Sequence, residues 1–191
     1  MIIMNILENE FDSKGELYFS WWINQLIEAR YIESVEYQPE PFSLSGQVNV
    51  DRFEPYKKKE GGKYVPEEIL AGHIYTADVL IYWTQKAINL FAFPLEGDLR
   101  KKKNRSFLQL LCQQDSVGKW FSFIEVKPSF DQNNMTRLAK INQKWVFEKY
   151  GIFVNIVIPE KHFEKTFTPT RYFYTDKSGK PRAIKYKNRL L

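Results

Sequence analysis

Residues 119–127 read KWFSFIEVK, residues 131–150 read DQNNMTRLAKINQKWVFEKY, and residues 152–158 read IFVNIVI. The first is an apolar and aromatic run of strand length. The second places Met135, Leu138, Ile141, Trp145 and Val146 on one side at helical spacing. Gly151 follows it, where a helix can end in left-handed backbone. The third is a short apolar strand closed by Pro159. Strand, long helix and strand in that order have the length of a crossover unit, which predicts two parallel strands joined right-handedly. Alternation along the first strand sets Glu125 and Lys127 on one face, with Ile124 and Val126 turned into apolar packing on the other.

Upstream, Ser13 to Arg30 predicts a helix. Ser13 and Glu16 make an S-x-x-E capping pattern, and Leu17, Trp21, Ile23, Leu26 and Ile27 give the helix an apolar face. Residues 31–38 alternate as a strand that Pro39 and Pro41 end, and residues 43–50 predict another. Residues 73–83, HIYTADVLIYW, predict one continuous strand, and residues 87–93 a further one. Residues 2–7 suit a short edge strand, and Phe107 to Cys112 a short helix or strand. Asp51 to Glu68 is polar, contains Gly61 and Gly62, and reads as a loop or insertion. The tail from Arg171 to Tyr186 reads as a hairpin turning at Asp176 to Gly179. The mixed order predicts an α/β sandwich around a mixed sheet. It reads as a single domain over 1–191, with its core at about 11–158, insertions at about 51–70 and 94–118, and a C-terminal hairpin at about 168–191.

Composition excludes several classes. A hydrophobic fraction of 43% and an aromatic fraction of 16% are too high for a disordered chain. No apolar run is long enough to cross a membrane, and the first ten residues lack the pattern of a secretory leader. The single cysteine, Cys112, excludes an internal disulfide framework and a cysteine-rich zinc site. These features predict a cytoplasmic protein of a bacterium or a phage-infected cell, without a membrane partner. The net charge of +5 is clustered, at Lys57 to Lys59, at Arg100 to Lys103 with Arg105, and from Lys177 to Arg189. Such clusters suit a polyanion bound through its phosphates, or a merely solvated surface.

Three acids carry the chemical signal. Glu125 beside Lys127 at a strand end can hold a metal and position a water, or form a surface ion pair. Asp78 interrupts an apolar strand, where an aspartate is disfavoured and needs something to offset its desolvation. A divalent cation would do so, as would a bend that turns it to solvent. Glu16 is explained by the helix cap as well as by a metal. His73 and His162 stand alone in the sequence. The tryptophans fall mostly at apolar periodic positions and suit core or interface, and Cys112 suits a buried, inert thiol.

Taken in order, a helical Glu16, a strand Asp78 and a strand Glu125-x-Lys127, followed by a helix and a strand, resemble the PD-(D/E)XK nuclease superfamily. The segment Phe11-Asp-Ser-Lys-Gly-Glu16 with Tyr18, then Gln38-Pro39, Tyr75-Thr-Ala-Asp78, Glu125-Val-Lys127 and Lys149-Tyr-Gly-Ile152, are similar to small phage and prophage nucleases in it. The resemblance covers roughly residues 11–158. It implies a restriction-endonuclease-like α/β/α sandwich that hydrolyses DNA phosphodiesters with a water activated by Mg²⁺ or Mn²⁺. Asp78 and Glu125 would be the main metal ligands, with the Val126 carbonyl a third and Glu16 serving a second ion. Lys127 would steady the attacking water or the charged phosphorane oxygen. Gln38 would face the cleft, and Gln143 or Lys144 would contact the scissile phosphate. Lys101, Lys102 and Lys103, with Lys57 to Lys59, would grip the backbone of duplex or branched DNA, in a homodimer or a larger nucleoprotein complex. This sequence departs from the pattern in the long interval between Asp78 and Glu125. A DNA-gripping accessory protein on the same fold, without cleavage, and a structural subunit with an aromatic oligomer interface are the competing expectations.

Overall fold

The computed structural model describes residues 11, 13–96, 110–127 and 135–159. In chain order the elements are α1 (Lys14–Glu28), β1 (Ile32–Tyr37), β2 (Phe42–Ser45), β3 (Val48–Pro55), β4 (Gly62–Leu70), β5 (His73–Tyr75) and β6 (Val79–Trp83). After a 3-10 turn at Gln85–Ala87 come β7 (Ala92–Pro94), β8 (Leu110–Gln114), β9 (Trp120–Val126), α2 (Met135–Tyr150) and β10 (Val154–Val157). The fold is mixed α/β. It groups into two compact units within the span read as one domain, Glu40–Thr76 and the remainder of the chain.

The larger unit is built on a mixed sheet ordered β1-β6-β9-β8-β7, with β10 also pairing β9. β6 lies antiparallel between β1 and β9, and β10 runs parallel to β9 with Val154 opposite Phe123 and Val157 opposite Val126. The two parallel strands expected of the crossover unit are therefore present. Helix α1 starts where expected: Ser13 has extended backbone, and its Oγ accepts the Glu16 N–H at 3.2 Å. The helix packs on β1 and β9. Phe19, Trp22 and Ile23 of α1 share one buried cluster with Val79, Ile81 and Trp83 of β6, Ile124 and Val126 of β9, and Val157 of β10. Full burial of each such side chain contributes about 1.5–3 kcal/mol, which fixes the face that each strand turns to the helix.

A polar tie sets the register on the far side of β9. Asn155 accepts the Leu111 N–H at 2.8 Å, and its amide donates to the carbonyls of Leu111 at 2.9 Å and Phe123 at 3.1 Å. Trp83 donates its indole N–H to Ser122 Oγ at 2.8 Å, and that hydroxyl donates in turn to the Leu111 carbonyl at 2.8 Å. The buried Asn155 and Ser122 side chains are thus paired, as a packed interior requires.

Several expectations are corrected. The run 73–83 is two strands, broken at Thr76 to Asp78, and they belong to different sheets. Residues 87–93 are not one strand. The chain turns through the 3-10 turn and through Asn89, whose φ is +69°, and the strand is confined to Ala92–Pro94, with an isolated bridge between Ile88 and Ala92. Residues 43–50 divide into β2 and β3. Asp51 to Glu68 is an antiparallel hairpin, not a loop, with Phe53 meeting Tyr64 and Arg52 bridging to Glu67 across its strands. Helix α2 buries Ala139, Asn142 and Val146, whereas Leu138, Ile141 and Trp145 are more than two-fifths exposed. The 3.6-residue period fits both stripes, and the one with smaller side chains is the one that packs. The edge strand at 2–7, the basic segment with Lys101, Lys102 and Lys103, His162 and the C-terminal hairpin lie outside the described residues.

In the smaller unit, β2 pairs β5 with Phe42 stacked on Tyr75, their ring centroids 6.2 Å apart. β3 pairs β4 alone.

Candidate active site

The break before β6 is what delivers Asp78. Its N–H donates to the Ile124 carbonyl at 3.0 Å, and its carbonyl accepts the Gln38 N–H at 2.9 Å. The residue is thereby held between the end of β1 and the middle strand β9. Gln38 turns with φ at +49° to make that bond, and it is exposed at the end of β1. The β6–β9 pairing begins with Val79 opposite Ile124; Asp78 stands one residue before Val79, and Glu125 one residue after Ile124. The charge of Glu125 is felt at Asp78 and raises its pKa, so the two acids are neighbours at this end of the sheet.

The Asp78 carboxylate is mostly desolvated. Its Oδ2 accepts the Val126 N–H at 2.5 Å, a bond that favours the ionised form. Burial outweighs that bond and, with repulsion from Glu125 and then Glu16, pushes the Asp78 pKa up to about 7. Lys127 opposes the rise only weakly. Glu125 is itself 6% exposed and forms an ion pair with Lys127. Lys127 is kept at the strand end by its own N–H, which donates to the Val157 carbonyl at 2.8 Å. Glu16 is engaged as a cap, with Ser13 Oγ donating to its Oε1 at 2.6 Å, while its charge is still felt at Asp78.

The structure thus brings Asp78, Glu125, Lys127 and the charge of Glu16 to one end of the sheet, with the backbone of Val126 and Gln38 beside them. It does not offer Gln143 in the expected role. The Gln143 amide is tied to the Val154 carbonyl, so it braces α2 against β10. Lys144 is exposed on α2. Two features went unread in the sequence. One is the amide of Val126 as a partner of Asp78, which no side-chain pattern reports. The other is Tyr37, whose hydroxyl is buried without a hydrogen-bond partner among the described residues and whose pKa is raised by burial. Val35 and Tyr37 of β1 pack against the buried cluster, and Phe11 meets the Tyr37 ring edge-on at 5.4 Å.

Among the described residues no three acidic, histidine or cysteine side chains are grouped closely enough to chelate an ion by themselves. Two carboxylates are the usual protein share for Mg²⁺, which keeps waters and takes phosphate oxygens for the rest. An acid whose pKa is raised to about 7 by burial, and then by the charge of Glu125, forms with Glu125 a donor pair that a hard cation would relieve. The residues present fit a divalent ion on those terms. Comparison with protein-family models, curated proteins and solved structures gives no match.

Proposed function

We propose that this chain is a metal-dependent nuclease of the PD-(D/E)XK type, on a restriction-endonuclease-like version of its α/β fold, hydrolysing phosphodiester bonds in DNA. The observation that carries the reading is the desolvated Asp78 within reach of the charge of the buried Glu125, with Lys127 paired to Glu125 on the same strand end. A buried pair of like charges is unfavourable unless something cationic is shared between them.

Asp78 and Glu125 would hold Mg²⁺ or Mn²⁺, with the Val126 carbonyl beside them and Glu16 reaching a second ion through water. Bound there, the cation supplies Lewis acidity to the phosphate and makes a water nucleophilic at neutral pH. Asp78 is positioned for this by three backbone bonds, so its carboxylate needs no rearrangement to meet an ion. Lys127 leaves Glu125 for the phosphate, placing a positive charge where negative charge develops. Gln38, exposed next to Asp78, stands on the substrate side.

The test is cleavage of supercoiled and linear DNA with Mg²⁺ or Mn²⁺, with and without EDTA. The reading expects cleavage with metal and none with EDTA. Cleavage that persists in EDTA, or in both Asp78→Ala and Lys127→Ala, would refute the site. A second reading, a DNA-binding accessory protein without cleavage, is favoured by the Glu125–Lys127 ion pair, which already neutralises one acid. It predicts salt-sensitive DNA binding and no cleavage with any divalent ion.

A further inference from the structure

The β3–β4 ribbon of the smaller unit has solvent along nearly all of both faces. A two-stranded ribbon in water is marginal by itself, so its regularity needs local causes. Phe53 and Tyr64 face each other across the strands with ring centroids 5.4 Å apart, and Arg52 bridges to Glu67 at 3.2 Å. Gly62 lies under the Phe53 ring, where an added Cβ would meet Phe53 Cζ at 2.4 Å and the Glu54 carbonyl at 2.5 Å. Gly61 turns with φ at +100° and its carbonyl accepts the Tyr56 N–H at 3.0 Å, closing the tip.

Charge along this ribbon is polarised. Lys57, Lys58 and Lys59 crowd the tip with only Glu60 among them, and among the described residues none of the three is in a salt bridge. Lys59 instead stands over the Tyr56 ring, 4.6 Å from its centroid. The shaft carries Asp51, Glu54, Glu67 and Glu68, all exposed, against Arg52 and Lys63, and Lys63 lies opposite Glu54. Eight residues of strand extend about 25 Å, so Asp51, Glu67 and Glu68 lie well down the shaft, and Glu54, the acid closest to the tip on β3, is opposite Lys63. Three adjacent lysines without acidic partners cost repulsion that a polyanion would relieve, while an acidic shaft keeps phosphates from any other part of the ribbon.

We propose that the ribbon is an arm whose tip, Lys57 to Lys59, binds the phosphates of duplex DNA. This rests on the nuclease reading for the identity of the polyanion. The tip supplies grip without base contacts, so it raises affinity alike on all sequences. Self-association through the ribbon's exposed apolar side chains is the outcome that the experiment separates from DNA binding.

Binding of the full chain to a fluorescent duplex is measured in EDTA by anisotropy, from about 50 to about 200 mM salt, for the parent, for Lys57→Gln/Lys58→Gln/Lys59→Gln and for the triple arginine variant. Each phosphate contact contributes a slope of about 0.9 in log K against log salt, so the glutamine variant should lose about 2–3 from the slope and bind at least tenfold more weakly at about 0.1 M salt. The arginine variant should keep the parent slope. An unchanged slope in the glutamine variant, or a parent that does not bind at all, overturns the arm. So does a glutamine variant that changes only the sedimentation mass, which would assign the tip to self-association. Cleavage of the same duplex by the parent, after Mn²⁺ is added, is scored separately. Cleavage with an unchanged slope removes the arm and leaves the nuclease. A lost slope without cleavage by the parent leaves the arm and removes the nuclease.

Discussion

Val126 donates its backbone N–H to Asp78 Oδ2 across 2.5 Å, from a residue whose neighbours in the chain are Glu125 and Lys127. The strand that presents one acid and the lysine thus also orients the other acid. An asparagine at 78 would keep a carbonyl oxygen for that N–H and lose the buried charge. Asp78→Asn should therefore stabilise the metal-free protein at pH 8 by about 1–3 kcal/mol in urea unfolding, while cleavage falls by at least about 100-fold. A purely structural Asp78 would give loss of stability together with loss of activity.

The pH dependence follows from the raised pKa. Unfolded, Asp78 releases its proton near 3.8; folded, it holds it to about 7. Between those values the folded state binds more protons, so its contribution to stability is full below pH 3.8 and is lost as pH rises through 7. The loss is bounded at about 1.4 kcal/mol per pH unit across that window. Urea unfolding in EDTA at pH 5 and pH 8 should show a larger fall for the parent than for Asp78→Asn. Equal falls would mean that Asp78 ionises normally.

Lys127→Met would leave the buried Glu125 without its cation. The parent pair is only 8–13% exposed at its side chains, so the variant should lose about 2–4 kcal/mol at pH 8. Glu125→Gln/Lys127→Met should recover much of that loss without recovering cleavage. A double variant as unstable as Lys127→Met would show that the pairing is not the cause.

Asn155→Leu tests the frame around the site. It removes three hydrogen bonds to Leu111 and Phe123, while the Leu111 carbonyl keeps the Ser122 hydroxyl. A loss of about 2–5 kcal/mol is expected, with hydrogen exchange accelerating in β8 and at the Phe123 end of β9. A loss under about 0.5 kcal/mol would show that β8 is held by packing alone.

Both helix α1 and the parallel β9–β10 pair were legible because capping residues and a strand-helix-strand order are local signals. So was the shared face of Glu125 and Lys127, which follows from a period of two. The position of Asp78 was legible only as an anomaly. Its break from Tyr75, its clamp between Gln38 and Ile124 and its bond to Val126 are tertiary, and no composition of residues 73–83 encodes them. Helix α2 misled because Leu138, Ile141 and Trp145 share the spacing of the stripe that packs. The ribbon misled because charged residues at exposed strand positions look like a loop when the cross-strand partners are unknown.

The central claim is that Asp78 and Glu125 share a divalent cation. Crystals soaked in Mn²⁺ and measured at a wavelength near its absorption edge test this directly. An anomalous peak is expected between the two carboxylates, absent from Asp78→Asn crystals. No peak there at saturating Mn²⁺, with Lys127 still paired to Glu125, would contradict it.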